Sequence, residues 1–123
     1  TKSFADIKNL NPQKVDLGGS ASLPLPTCSL IIANGYVAIP LTKTTSLFIQ
    51  WMSISKPGDG TASKAFTFPV PFPTACASAV ATDSGGAASP YGLGSLTKTG
   101  GLLYVPASAT GGTLAAKVIA IGY

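Results

Sequence analysis

Among 123 residues the acids are Asp6, Asp16, Asp59 and Asp83 alone, the cations are eight lysines, and glutamate, arginine and histidine do not occur. The chemistry this permits is narrow. Histidine is the usual general base near neutral pH and the commonest metal ligand, so its absence removes both roles. Glycan hydrolysis would need two carboxyl groups held about 5–10 Å apart. Scattered aspartates supply such a pair only if neighbouring copies contribute. Cys28 and Cys76 lack the spacing of a metal site and do not define a disulfide framework, so they read as free, buried thiols. No enzymatic activity, cofactor or metal is expected.

What these residue types can do is recognise. A neutral glycan is held by oriented hydrogen bonds and ring stacking, which ask for short polar side chains beside an exposed aromatic. The stretch Asp83-Ser84-Gly85-Gly86-Ala87-Ala88-Ser89-Pro90-Tyr91 offers both. Asp83, Ser84 and Ser89 would supply hydrogen bonds, and Tyr91, with no strand to bury it, is the residue best suited to stack on a sugar ring. Asp59 and Lys98, in the turns Lys56–Thr61 and Lys98–Gly101, complete the candidate receptor-binding set. The plainer readings stand beside these: Asp59 and Asp83 as turn-forming aspartates, and Tyr91 as a surface tyrosine without function. Trp51 is read as a core residue rather than a sugar platform, because its strand is apolar on both faces. Tyr36, Tyr104 and Tyr123 are read as core-edge residues whose hydroxyls reach water or backbone.

The net charge of +4 does not imply nucleic acid, since the lysines lie singly at 2, 8, 14, 43, 56, 64, 98 and 117 without a run. They read as solvated edge and loop charges, which also discourage edge-to-edge aggregation. No uncharged apolar run approaches the eighteen or so residues of a membrane helix, so no membrane insertion is expected. The opening Thr1-Lys2-Ser3-Phe4 has no secretory signal character and reads as the interior of a longer chain.

The elements that must position these residues are strands. Phe66-Thr67-Phe68-Pro69-Val70-Pro71-Phe72-Pro73 organises the rest: Phe66 and Phe68 point to one face of an extended chain, and Pro69, Pro71 and Pro73 each fix φ and lack a donor. A strand has to end there, and a stiff connection carries Phe72 onward to a second extended run over 74–82. Asn34-Gly35 joins two apolar runs as a hairpin. The segment 44–55 places Leu47, Ile49 and Trp51 on one face and Phe48 and Met52 on the other. Short strands follow around 93–97 and 102–105, and a last strand over 113–123 is again apolar on both faces, which predicts an inner position. About seven short strands separated by Gly, Pro and Asn turns give an all-β fold, a small antiparallel β-sandwich or barrel-like head. Residues 1–33 form an irregular neck, with one possible helical turn at Phe4, Ile7 and Leu10 and a linker at Gly18–Ser22, and residues 34–123 form the tip domain. Charged residues are only 10% of the chain, and a sandwich this small has one inner layer. Two strands apolar on both faces therefore predict burial against another copy of the chain.

Asn34-Gly35-Tyr36-Val37-Ala38-Ile39-Pro40, Phe48-Ile49-Gln50-Trp51, Phe66 to Cys76 and the final Ile119-Ala120-Ile121-Gly122-Tyr123, in this order, resemble the C-terminal tip domain of bacteriophage tail-fibre proteins. The resemblance spans roughly Asn34 to Tyr123 and rests on the pieces together, since none is specific alone. It implies a homotrimeric fibre tip in the virion, made in the host cytoplasm and helped by a tail-fibre assembly chaperone. It also implies recognition of bacterial surface glycan, often lipopolysaccharide. Two departures fall in turns: polar Thr42-Lys43-Thr44-Thr45 where glycine is commoner, and the long Asp83–Tyr91 loop. Two functions follow, a non-enzymatic receptor-binding tip or a structural domain that trimerises and registers a fibre.

Overall fold

The computed structural model describes residues 15–16, 22–23, 26–30, 33–86 and 88–123. The expected helical turn at Phe4–Leu10 and most of the linker Gly18–Ser22 lie outside the described residues. The strands, in chain order, are β1 (Val15–Asp16), β2 (Ser22–Leu23), β3 (Thr27–Leu30), β4 (Gly35–Pro40), β5 (Ser46–Lys56), β6 (Ser63–Thr67), β7 (Cys76–Asp83), β8 (Gly92–Gly94), β9 (Gly100–Tyr104) and β10 (Leu114–Gly122), with one 3₁₀ turn at Ala107–Ala109. β1 and β2 form a two-stranded ladder, β3-β4-β5-β10-β7 a five-stranded antiparallel sheet, and β6-β9-β8 a three-stranded one. The fold is a small β-sandwich, as the turn spacing predicted.

The strand period of two decides which side chains meet inside. Gln50, Met52, Ile54 and Lys56 of β5 face inward and are buried, beside Ala116, Val118 and Ala120 of β10 in the register Ile54↔Ala116, Met52↔Val118, Gln50↔Ala120. Leu103 of β9 and Val105 close the layer from the small sheet. Phe68 and Phe72, delivered by the proline-rich connection, fill the space between, with ring centroids 5.0 Å apart in an edge-to-face arrangement. Full burial of one such ring stabilises by about 1.5–3 kcal/mol. Small residues on β10 make room: a Cβ at Gly122 would lie 2.5 Å from the Phe72 ring.

The proline-rich connection is held by the few donors it keeps. Pro69, Pro71 and Pro73 have no N–H, and the remaining groups are all engaged: Phe68 N–H donates to Thr99 O (2.9 Å), Phe72 N–H to Lys98 O (2.8 Å) and Thr74 N–H to Tyr123 O (2.7 Å). The Val70 N–H donates to Gln50 Oε1 (3.0 Å) while Gln50 Nε2 donates to Val70 O (2.8 Å). Gln50, 1% exposed, thus replaces with its side chain the ladder that three prolines forbid.

The outer face of the large sheet is different in kind. Ile49, Trp51, Ile119, Ile121 and Val80 lie on it in cross-strand register, Trp51 beside Ile119 and Ile49 beside Ile121. Val80 is 59% exposed and Ile119 55%. Trp51, expected in the core, is instead half-buried on this face, its ring over Gly35, where a Cβ would meet it at 2.5 Å. The reading of every lysine as a solvated charge also fails at Lys56, which is fully buried. Neither cysteine is paired, and neither is fully buried: Cys28 is exposed and Cys76 half-buried, so the expected buried thiols are corrected to free, accessible ones. Burial still pushes the Cys76 thiol upward from its ordinary pKa.

The large sheet includes a strand ahead of Asn34, and one turn falls earlier than expected for a local reason. β3 at Thr27–Leu30 joins the large sheet ahead of Asn34. The β8–β9 turn falls at 95–99 rather than 98–101, because the Thr97 hydroxyl accepts the Thr99 and Gly100 N–H groups and reverses the chain early.

Candidate functional site

Strand direction sorts the expected residues onto two ends of the sandwich. β5 ends at Lys56 and β7 at Asp83, both opposite the start of β10, so the turn carrying Asp59 and the loop carrying Asp83, Ser84, Ser89 and Tyr91 share one end. Gly60 N–H donating to Thr110 O (3.1 Å) ties the Asp59 turn to the segment before β10. Lys98 is separate. Its carbonyl holds Phe72 in the turn before β9, at the far end of that strand. The structure therefore gathers five of the six candidates and leaves Lys98 apart.

Within the gathered end the two carboxylates are engaged by their own turns. Asp83 Oδ1 accepts the Gly85 N–H and Oδ2 the Ser89 N–H, both at 2.6 Å. These two bonds, the Ser89 one foremost, hold its carboxyl below the usual range. They fold the loop back on itself and place Ala88 in the left-handed region, φ 47°. Asp59 Oδ1 accepts the Thr61 hydroxyl (2.7 Å), the Thr61 N–H (3.0 Å) and Lys56 Nζ (3.0 Å). The Thr61 hydroxyl bond comes first among the causes that hold Asp59 well below the carboxylate range. The Lys56 ammonium also donates to Pro57 O (3.0 Å), so the buried charge is paired at the lip of the core.

Tyr91 does not stand free. Its ring is half-buried against the core, and its enclosed hydroxyl has no hydrogen-bond partner among the described residues. Burial first, then the nearby Asp83 charge, raises its pKa. The loop around it bounds an open depression of about 510 Å³ that Asp83, Ser89 and Tyr91 line. The surface is shallow and of mixed character, with Thr82, Asp83 and Ser89 as its polar side chains and Ser84 outside its lining. Stacking on Tyr91 would be limited to the part of the ring that the core leaves exposed. Among the described residues no group of three His, Cys, Asp or Glu side chains could hold a metal ion. A separate cleft of about 270 Å³ between β5 and β6 contains none of the expected residues.

Residues 42–123 match the model of the C-terminal region of gp53-like tail fiber proteins. The chain belongs to this family. The tail-fiber domain is similar to an R2 pyocin fiber of P. aeruginosa, C-terminal residues 323–691, at 26% identity and a TM-score of 0.64, covering 80% of this chain and 26% of that one. It is similar to the P. aeruginosa R1 pyocin fiber, residues 323–701, at 26% identity and a TM-score of 0.58, covering 80% and 28%. An N-truncated R1-type pyocin tail fiber shares the fold, at 23% identity and a TM-score of 0.60, covering 100% of this chain and 98% of that one. The chain thus spans about a quarter of the longer pyocin fibers it matches. No curated protein matches. The resemblance read from the Gly-Tyr, Gln-Trp and Phe-Pro segments holds, and the chain is a component of the phage and pyocin tail-fiber type.

Three features of this end were not visible in the sequence. Lys56 sits four residues beyond Met52 in strand alternation, so its inward direction was implied, but the Asp59 and Pro57 acceptors that make burial tolerable come from the turn's tertiary shape. The engagement of Asp83 by a group six residues on, and the covering of Tyr91 by the core, likewise depend on how β7 and β8 approach.

Proposed function

We propose that the chain is the receptor-binding tip of a tail fibre, a homotrimer that attaches the particle to host surface glycan such as lipopolysaccharide, without catalysis. The observation that carries the assembly part is the apolar outer face formed by Ile49, Trp51, Val80, Ile119 and Ile121 behind an already closed core. A lone domain would leave that surface in water, and burying it against two more copies stabilises by about 25 cal/mol per Å² of apolar surface removed. The receptor part is supported by direction. β3 begins at the end of the sheet opposite Asp59 and Asp83, so whatever precedes it joins there and the loop end faces away. Loops carried on a rigid scaffold are where binding residues concentrate, and three copies would multiply weak individual contacts through avidity.

The structural reading, a domain that only registers a fibre, draws support from the carboxylates of Asp59 and Asp83 being engaged inside their own turns. Binding of the purified chain to immobilised lipopolysaccharide separates the two. On the tip reading, Ser84→Ala with Ser89→Ala weakens binding several-fold while sedimentation still reports a trimer. Intact binding in that double variant, or a stable monomer at micromolar concentration, is incompatible with it.

A further inference from the structure

We propose that the cleft at the end of the sandwich remote from Asp83 and Tyr91 is a second glycan subsite, one that takes a neutral pyranose. The cleft has a volume of about 350 Å³, at the lower end of the range for small-molecule sites, a size suited to a single sugar unit. Its walls come from the β4–β5 turn and the start of β5, the end of the proline-rich connection, and Tyr123, which follows β10. Among the described residues no charged side chain lines it. It is rich in hydroxyls instead: Thr44, Thr45, Ser46 and Thr74 converge there, and none of the four hydroxyls takes a hydrogen-bond partner among the described residues. Elsewhere the threonine hydroxyls of 42, 61, 97 and 110 are consumed by their own turns.

The aromatic complement is present. Phe48 forms part of the wall, its ring stacked on Tyr36 at 6.3 Å and 23° and braced edge-on by Phe72. Tyr123 lies on the cleft 47% exposed. Both walls are pre-organised, which lowers the ordering cost of binding. Thr42 Oγ1 accepts the Thr44 and Thr45 N–H groups (3.2 and 3.0 Å), and Thr45 O accepts those of Leu41 and Thr42 (2.9 and 3.0 Å). Tyr123 O accepts from Thr74 and Ala75 (2.7 and 2.8 Å), and the Tyr123 N–H donates to Ala75 O (3.0 Å). Hydroxyls without partners among the described residues, on fixed backbone beside the exposed Tyr123 ring and the half-buried Phe48 ring, match the alternating polar edge and apolar face of a sugar ring, and the lack of a cationic side chain in the lining disfavours an anionic one.

This subsite lies at the end of the sheet where β3 begins, so it does not depend on the loop end being a receptor surface, and the experiment keeps the two apart. Amide shifts of the full chain are followed by NMR with millimolar methyl glucoside, galactoside, mannoside and N-acetylglucosamine, with glucuronate as the charged control. At least one neutral sugar is expected to shift the amides of Thr44, Thr45, Ser46, Thr74 and Tyr123, with glucuronate weaker. Thr45→Val with Thr74→Val removes two hydroxyls but none of the backbone bonds, and should weaken that sugar about tenfold. Thr113→Val, which removes an exposed hydroxyl at the other end of the sandwich, should leave it unchanged. Silence at these amides with every neutral sugar, or equal affinity in the double variant, overturns the subsite. Shifts confined to Ser84–Tyr91 overturn it as well while supporting the loop end.

Discussion

Changing Gln50 to methionine should unfold the domain well before any outer-face change does. Gln50 is 1% exposed and makes two hydrogen bonds to the single residue between Pro69 and Pro71, at 3.0 and 2.8 Å. Methionine keeps the length and removes both bonds, leaving the Val70 N–H and C=O without partners where water reaches them poorly. The two bonds contribute about 1 kcal/mol each net, and a Val70 group that water fails to reach costs about 1–3 kcal/mol more, so the loss is about 2–5 kcal/mol. For a domain of this size that lowers Tm by about 10–25 °C. Circular dichroism during heating, at fixed protomer concentration because assembly adds to stability, measures it. Gln50→Glu adds a sign test. A carboxylate accepts the Val70 N–H but opposes the Val70 carbonyl, so its folded pKa rises above the unfolded value near 4.3. The penalty is then smallest below about pH 4.3 and grows as pH rises through the folded pKa. A Gln50→Met loss under about 0.5 kcal/mol would refute the claim that this side chain substitutes for the missing ladder.

Other outcomes follow from single contacts. Gly35→Ala should destabilise by about 1–3 kcal/mol, because its Cβ would lie 2.5 Å from both Ser29 O and the Trp51 ring, and urea unfolding reads this directly. Asp59→Asn should cost more than Lys56→Met: the first leaves a buried ammonium with Pro57 O but no counter-charge, the second removes charge and partner need together. Thermal melts of the two variants rank them. Asp59 and Asp83 both have folded pKa values below the unfolded value near 3.9. Their contribution is therefore complete above about pH 5 and drains as pH falls through 4 toward the folded values. Acid titration followed by amide exchange should show these two loops loosening first, with Asp83→Asn flattening the dependence at Gly85 and Ser89.

How much of this was legible follows from what each feature depends on. The strands were readable because a period of two and prolines at 69, 71 and 73 are local properties of the chain. β10 as an inner strand was readable from its two apolar faces, and it does sit between β5 and β7. The same doubly apolar pattern hid which face was which. Trp51 and Met52 look alike in hydropathy, yet Met52 faces the closed core and Trp51 the open side. Only the position of the small sheet β6-β9-β8 decides that, and that sheet depends on the pairing of β6 with β9, distant in sequence.

The candidate site divides along the same line. Composition alone determined that histidine-based acid–base chemistry and glutamate pairs were absent, since no fold can supply a missing side chain. It also left hydroxyls, amides and aromatic faces as the groups through which the proposed recognition would run. Which of these are free was decided by tertiary structure, because a hydroxyl or carboxylate is available only where its own turn does not use it. Asp59 and Asp83 have acceptors occupied by Thr61, Lys56, Gly85 and Ser89, whereas the hydroxyls of Thr44, Thr45, Ser46 and Thr74, unremarkable in sequence, meet at one cleft without partners among the described residues. Residues 44 and 123 are brought to one place by the antiparallel register of β5 and β10, and no local pattern encodes that distance.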